Sequence, residues 1–221
     1  PSPMSSIVIV GAGPAGIAAA EVLCGRGYRP VLIDEGERAG GQGYRRPSPA
    51  LALDMRSLMG SEAGRYEALH RRFAALSEHI DYRPRTLVWA IEGHTLHLLH
   101  NGQAETIEAD HLLLATGAMD RVAPLPGWTL PGVFTLGGAQ VALKDQGCLI
   151  GRRVAFLGSS PLLLLAAKQY RQMGATVAVI ADTTGLAAKA KALPGLLASP
   201  RTLLRGLGGM AGTLRAGTPL L

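Results

Sequence analysis

The residues best suited to chemistry lie near the N-terminus, where three glycines follow a short β-branched run at 7–10. Gly11, Gly13 and Gly16 have the GxGxxG spacing. Between a strand and a helix, this spacing permits a tight turn, a close approach of a pyrophosphate to the backbone, and close packing of the helix on the strand. The N–H groups and positive dipole end of the helix then favour phosphate. The predicted pyrophosphate-binding residues are Gly11, Gly13, Pro14, Ala15 and Gly16.

An acidic residue stands where a dinucleotide site needs one. A second short strand is predicted at 31–33, and Asp34 follows it, 23 residues after Gly11. An acid about 20 residues after the first glycine binds the ribose hydroxyls in such units. Asp34 therefore predicts a dinucleotide whose adenosine ribose carries no 2′-phosphate. Glu35 competes for this role, although the next residue of a strand faces the opposite side.

Two further motifs distinguish between FAD and NAD at this site. Gly40, Gly41 and Gln42 come soon after the acid, and the predicted strand at 111–114 ends in Ala-Thr-Gly at 115–117. In these motifs the chain resembles the two-dinucleotide flavoproteins of the thioredoxin reductase and glutathione reductase superfamily. That resemblance implies FAD. It places Gly41 and Gln42 beside the ribityl arm, Ala115, Thr116 and Gly117 behind the flavin, and the backbone near Thr86 beside the adenine.

The strand-and-glycine pattern repeats in the second half of the chain, in a degenerate form. Gly158 ends a predicted strand, but Ser160 occupies the second glycine position and Leu163 the third. A helix at 161–173 and a strand at 176–180 follow, and then Asp182. Gly158, Ser160 and Asp182 are the candidate residues of a second nucleotide site. NAD(P), another adenine nucleotide, and no nucleotide at all remain open for this site.

These motifs require a parallel sheet with helices on its faces. The predicted fold is α/β, with a Rossmann-like FAD-binding domain at 4–125 and a second, incomplete NAD-type dinucleotide-binding domain at 126–221. Between the motifs, the apolar spacing predicts a helix at 61–77 and strands at 87–91 and 95–99. Hydrophobic residues make up 48% of the chain and charged residues 17%, which excludes global disorder.

Other side chains offer little chemistry. His94, His97 and His100 are expected on the surface of edge strands, where alternation prevents three ligands from converging, so no metal site is predicted. Cys24 is expected to be a buried small hydrophobe in the first helix, and it lies far from Cys148, without a CxxC motif. This cysteine usage and the absence of an export signal at the start of the sequence favour a reduced, cytoplasmic chain.

The charge is unevenly distributed along the chain. Residues 1–125 carry 12 basic and 14 acidic side chains, whereas residues 126–221 carry 10 basic and two acidic ones. The basic residues of the second half are spread among leucines, so a solvated face, a partner protein, or an anionic surface could account for them. We expect no nucleic-acid partner. The apolar runs are too short to span a membrane, and nothing in the sequence indicates membrane association.

Three longer stretches narrow the resemblance, at 32–47, 112–140 and 151–175. They resemble one group: the B subunit of hydrogen cyanide synthase, the A subunit of opine oxidases, and the alpha subunits of heteromeric D-hydroxyproline and proline dehydrogenases. The resemblance implies an FAD-binding subunit of a dehydrogenase that oxidises a C–N bond, with companion flavoprotein and iron–sulfur subunits. It also suggests that the segment at 126–132 crosses between the domains, with Trp128 as a packed anchor. No residue is assigned as a catalytic acid, base or nucleophile.

The chain departs from this group in two ways. Members usually have glycine where Ser160 stands, and their chains continue beyond the second nucleotide domain. In the group, the later segment closes the flavin domain, and many members end in a cysteine-rich iron–sulfur module. Two alternative functions therefore stay open: a stand-alone NAD(P)H-dependent flavin reductase of the thioredoxin reductase type, and a non-catalytic nucleotide-binding scaffold.

Overall fold

The computed structural model describes residues 6–221, without the side chains at 186 and 205. The chain divides into two compact units. The first comprises the residues up to Ala52 together with Gly60–Met119, and the second comprises Leu53–Met59 and Asp120–Leu221. The domain start predicted at residue 4 lies outside the described residues. The boundary predicted after residue 125 falls a few residues beyond Met119, and no sequence pattern indicated that Leu53–Met59 joins the second unit.

The strands are β1 Ile7–Val10, β2 Val31–Ile33, β3 Asp81–Arg83, β4 Thr86–Glu92, β5 Thr95–His100, β6 Gln103–Glu108, β7 His111–Leu114, β8 Arg153–Gly158 and β9 Thr176–Asp182. The helices are α1 Pro14–Cys24, α2 Met55–Met59, α3 Ala63–Leu76, α4 Leu136–Lys144, α5 Leu162–Gln172, α6 Leu186–Leu197 and α7 Pro200–Arg215, with a 3₁₀ turn at Gly60–Glu62.

The first unit is built in three layers around a parallel sheet. Its strand order is β3-β2-β1-β7. The four residues of β1 are all buried, as is typical of a parallel strand that is covered on both faces. Helices α1 and α3 cover one face, where Ile17 and Leu69 pack on Ile9 and Leu32. The antiparallel sheet β4-β5-β6 lies against the other face.

The second unit repeats the strand–helix–strand arrangement on a smaller scale. Strands β8 and β9 pair in parallel, and α5 connects them. Leu163 and Tyr170 of α5 belong to the same buried cluster as Phe156 of β8. The fully buried Tyr170 donates its hydroxyl hydrogen to the carbonyl oxygen of Ala139 (2.9 Å), which ties α5 to α4. The predicted α/β fold with two Rossmann-type units is confirmed.

Three local expectations are wrong. The histidines do not lie on edge strands, because β5 is the central strand of its sheet and His94 lies in the turn before it. Trp128 is not a packed anchor, since 47% of its surface is exposed. Cys24 is only partly buried at the edge of the helix-side core. Burial and strand position depend on neighbours from other segments, which neither the local patterns nor the resemblance recorded.

The alternation of β5 predicts a clear contrast between two leucines of that strand. Leu96 is fully buried under the parallel sheet, whereas Leu99 points outward and is 40% exposed. Leu96→Ala should lower the free energy of unfolding by about 2–5 kcal/mol, because it leaves a cavity in the core. Leu99→Ala should change it by less than about 1 kcal/mol. Urea unfolding of both variants tests this, and equal losses would contradict the packing of the two sheets.

Candidate functional site

The carboxyl edge of the parallel sheet brings together three segments that the sequence predicted to bind the dinucleotide: the glycine loop, the acid at the end of β2, and the Ala-Thr-Gly segment after β7. Gly11 follows β1, Asp34 follows β2, and Ala115 follows β7. Backbone hydrogen bonds extend the sheet into these segments. The N–H of Gly11 donates to the carbonyl of Ile33 (2.7 Å), and that of Ala115 donates to the carbonyl of Val10 (2.8 Å). Open α/β sheets bind nucleotides at this edge.

Two of the glycines are required by packing. A Cβ on Gly16 would overlap the carbonyl oxygen of Gly11, so only glycine lets the first turn of α1 approach the end of β1 this closely. A Cβ on Gly11 would overlap the carbonyl oxygen of Ala115, and its φ of +107° also favours glycine. These residues therefore fix the position of the helix relative to two strands.

The third glycine leaves an open face. At Gly13 a Cβ would meet only the Cα of Gly41, at an ordinary 3.6 Å. Gly13 is the N-cap of α1, and its carbonyl accepts the N–H of Ile17 (3.0 Å). The N–H groups of Ala15 and Gly16 come before this first hydrogen bond of the helix. Like the first donors of any α-helix, they have no partner within the helix. Pro14 is exposed and has no N–H to offer, so it presets the first turn of the helix.

Asp34 holds the glycine loop as well as standing at the expected ribose position. Its carboxylate accepts the N–H of Ala12 (2.6 Å) and the N–H of Gly36 (2.7 Å). A carboxylate has about four acceptor positions, so its two oxygens can also accept from ribose hydroxyls. Glu35 is exposed beside it. Thr86 donates its backbone N–H to the carbonyl of Asp34 (2.9 Å), so the predicted adenine segment adjoins the predicted ribose residue.

The Gly-Gly pair lies directly against the glycine loop. The N–H of Gly40 donates to the carbonyl of Ala12 (2.9 Å). A Cβ on Gly41 would come within 2.9 Å of the Cα of Gly13. Gln42 is exposed in the turn that follows. Segments about 30 residues apart in sequence thus form one surface beside the open face of Gly13.

A buried histidine packs against this turn and hydrogen-bonds to it. His70 of α3 is 8% exposed, and its Nε2 hydrogen-bonds the carbonyl of Tyr44 (3.0 Å). Burial lowers the pKa of His70, and this outweighs the hydrogen bond, which raises it. Its Cε1 also lies close to Gly40, so the imidazole limits the space for the turn. Burial of the imidazole therefore favours its neutral form over the charged one.

The Ala-Thr-Gly segment at 115–117 lies beside the glycine loop and is mostly exposed. Ala115 is half-buried where it contacts Gly11, and Thr116 and Gly117 are exposed. The groups present fit the adenosine diphosphate part of FAD: an open glycine face, early helix N–H groups, and a carboxylate at the strand end. The roles of the individual residues stay predictions.

Sequence reasoning missed Ala12, Gly40 and His70. Gly40 had a signal, because it is the first member of the Gly-Gly pair that was recognised. Ala12 lies inside the GxGxxG motif but contributes only backbone atoms, and His70 acts from a helix about 30 residues away, so residue type indicated neither role.

The second candidate site lies at the carboxyl edge of β8 and β9. Gly158 ends β8, Ser160 lies in the following loop, and Asp182 ends β9. Asp182 accepts the N–H of Thr184 (2.9 Å) and pairs with Lys189 (3.0 Å). The hydrogen bonds from Thr184 and then the Lys189 ammonium lower the pKa of Asp182 to about 2.

Neither a metal site nor a membrane-spanning helix is found in the described part of the chain. No three of its His, Cys, Asp and Glu side chains are grouped as metal ligands would be. None of its helices has the length and apolar character needed to cross a bilayer.

Comparison with known proteins shows the family of the chain. The sequence profile of the pyridine nucleotide-disulphide oxidoreductase family matches residues 5–193. The chain is 40% identical over 215 residues to the HcnB subunit of hydrogen cyanide synthase from Pseudomonas aeruginosa, covering 96% of this chain and 46% of that protein. It is 36% identical over 217 residues to the A subunit of opine oxidase from Agrobacterium tumefaciens, covering 91% of this chain and 42% of the relative. The chain thus spans less than half the length of these relatives.

Solved structures show the same fold at lower sequence identity. L-proline dehydrogenase from P. horikoshii matches with a TM-score of 0.65 at 22% identity, over 80% of this chain and 35% of that one. The flavoprotein disulfide reductase RclA from Escherichia coli matches with a TM-score of 0.59 at 20% identity, over 98% of this chain and 48% of that one. These structural matches confirm the fold, and the family profile with the two relatives confirms the resemblance to the HcnB and opine oxidase group.

The two kinds of glycine in the first loop should respond differently to alanine. Gly16→Ala should lower the free energy of unfolding by about 1–3 kcal/mol, because the methyl group overlaps backbone. Gly13→Ala should keep the fold, since its φ of −79° suits alanine, but should weaken FAD binding about tenfold or more by filling the open face. Flavin fluorescence titration and thermal unfolding measure the two effects.

Gly64→Ala is the matched control for these variants. Gly64 is an exposed glycine near the start of α3, and a Cβ there meets nothing within 4 Å. It should leave FAD binding unchanged and stabilise the chain slightly. If Gly13→Ala binds FAD as tightly as Gly64→Ala does, the open face is not where the cofactor lies.

His70 should make the chain sensitive to acid. Its pKa in the folded chain is lower than the ordinary value of 6.5, so below that pH the unfolded chain binds a proton that the folded chain resists. Stability should therefore fall as the pH falls below about 6.5. His70→Gln keeps a donor for the Tyr44 carbonyl without titrating, and its melting temperature should fall less between about pH 7.5 and 5.5. Equal falls in both proteins would contradict this assignment.

Proposed function

The chain belongs to the pyridine nucleotide-disulphide oxidoreductase family, and from that premise we propose that it is the FAD-binding subunit of a heteromeric dehydrogenase that oxidises a C–N bond. Amino acids and opines are the proposed substrate class. The substrate would bind in a companion flavoprotein subunit, and this chain would pass the electrons onward. An iron–sulfur subunit is a further proposed partner.

One observation carries the proposal: the segments at 11–16, 40–42 and 115–117 meet at a single sheet edge. The first two are in backbone contact, because the Gly40 N–H binds the Ala12 carbonyl and Gly41 packs on Gly13. The first and third are in contact through Gly11 and Ala115. Both relatives, the opine oxidase chain and HcnB, are named as subunits of their enzymes, and this supports the heteromer.

We assign binding roles to the residues of this edge. Gly13 and the N–H groups of Ala15 and Gly16 would receive the pyrophosphate, and Asp34 the ribose. Thr86 would border the adenine. Gly41 and Gln42 would border the ribityl arm, and Ala115, Thr116 and Gly117 the flavin. FAD, when bound, supplies two-electron redox chemistry, and the chain's task is to hold and orient it.

The same edge explains why no acid–base residue is proposed. The groups assigned to the cofactor are backbone atoms, one carboxylate that is tied to two N–H groups, and exposed small residues. A site of this composition binds and orients a cofactor, so substrate deprotonation is assigned to the companion subunit. The cytoplasmic location stays a prediction.

The neighbouring acids at the end of β2 provide a sharp test of the proposed cofactor site. Purified chain should show the flavin absorbance near 450 nm and release FAD on heating. Asp34→Asn should reduce the bound FAD substantially, because it removes an acceptor shared by the loop and the ribose. Glu35→Gln, an equivalent change one residue away on an exposed side chain, should not.

A colourless chain, or equal loss of FAD in both variants, would contradict the proposed site. The enzyme class needs a second measurement. The chain co-purified with its companion subunits should reduce an artificial electron acceptor when supplied with an opine or amino acid. Reduction driven only by NADH would instead support the stand-alone flavin reductase.

A further inference from the structure

We infer that the second glycine loop is closed to a pyridine dinucleotide, although the family implies one there. The closure itself depends on the loop alone. Its consequence rests on the proposed function: the flavin electrons would come from the companion flavoprotein and not from NAD(P)H. The first unit supplies the comparison, because the same chain contains one loop that fits a dinucleotide and one that does not.

The helix approaches the strand end differently in the two units. In the first, the start of α1 is so close to β1 that a Cβ on Gly16 would overlap the Gly11 carbonyl. At the equivalent position of the second unit stands Leu163, whose buried side chain lies beside Gly158. The start of α5 therefore stands further from its strand, with an isobutyl group between them. The third glycine of a dinucleotide loop exists to allow the closer contact.

The donors that would bind a pyrophosphate are already used. In the second loop the Leu162 N–H donates to the hydroxyl oxygen of Ser160 (3.2 Å), and the Leu163 N–H donates to the Ser160 carbonyl (3.0 Å). The Leu164 N–H donates to the carbonyl of Pro161 (3.2 Å). Ser160 thus accepts the first two N–H groups of α5, at the position where a glycine would leave space for phosphate.

The acid at the ribose position has a different partner in the second unit. Asp34 accepts backbone N–H groups in the first unit, whereas Asp182 forms an ion pair with Lys189 and also accepts the Thr184 N–H. Ribose hydroxyls would have to compete with an ammonium group. A 2′-phosphate could use Lys189 only by separating it from Asp182. The Lys189 ammonium is thus a competitor for ribose hydroxyls that Asp34 does not have, while each carboxylate accepts from two protein groups.

What the second unit retains is the packing of a Rossmann unit. The side chains that close the loop also build its core, since Leu163 belongs to the same buried cluster as Phe156 and Tyr170. The repeat is thus a structural unit whose loop has lost the geometry for phosphate.

Anaerobic titration of the purified chain with NADH and NADPH tests the inference. Hydride transfer would convert NADH to NAD⁺ and FAD to its two-electron-reduced form, with loss of absorbance near 450 nm. We expect no saturable change in nicotinamide fluorescence up to about 1 mM and no bleaching, while dithionite bleaches the same sample. Saturable binding below that concentration, or bleaching by either nucleotide, would overturn the inference.

A double variant tests the residues themselves. Ser160→Gly combined with Leu163→Ala should bind NADH at least about tenfold more tightly than the unaltered chain, provided that circular dichroism shows it folded. A folded variant with no gain would overturn the assignment to these two side chains. Lys189→Ala, in the same background, frees Asp182 and should strengthen binding further.

Failure of this inference differs from failure of the proposed function. In a chain that retains FAD the first loop is filled, so a saturable change in nicotinamide fluorescence there reports on the second loop. A yellow chain that binds NADH contradicts only the closed loop. A colourless chain that binds no NADH contradicts only the proposed cofactor site.

Discussion

The backbone of Ala12 is held from both sides, and the first unit is organised around it. The Asp34 carboxylate accepts its N–H, and the Gly40 N–H donates to its carbonyl. These two bonds connect the glycine loop, the end of β2 and the Gly-Gly turn. Gly11 and Gly16 then allow backbone to meet backbone where a Cβ would overlap it. The result is an open surface made mostly of main chain, whose shape depends on packing and not on flexible side chains.

The two units show how little has to change for a Rossmann loop to lose this surface. Both keep the order strand, helix, strand and acid. The first opens its helix N–H groups to a ligand by omitting side chains, whereas the second satisfies them with Ser160 and fills the gap with Leu163. Ser160 accepts helix N–H groups that otherwise need water or a ligand, and Leu163 adds an apolar side chain to the buried core. A repeat that no longer has to bind phosphate would gain stability by making such changes.

The division of labour within the proposed enzyme follows from these two loops. On the two proposals, this chain would hold a flavin in its open first loop and would take electrons from a source other than a pyridine nucleotide. The relatives are named as subunits, and the second half of this chain carries a strong excess of basic side chains. A basic surface favours association with acidic partner proteins. The charge and the loop geometry therefore support the same view of the chain as one component of a larger assembly.

The sequence by itself determined the elements and the chemistry of the first loop. Glycine spacing, β-branched strands and Asp34 are local features, so their pattern predicts a dinucleotide fold directly. The motifs at 40–42 and 115–117 added FAD through a resemblance. Only the tertiary structure decided which groups are free to bind. Asp34 and Asp182 follow equivalent strands, yet one faces backbone amides and the other faces Lys189 from the next helix. Likewise the burial and hydrogen bond of His70, the exposure of Trp128 and the central position of β5 depend on how separate segments pack. Such contacts are set by how whole elements pack against each other, and no short sequence pattern records them.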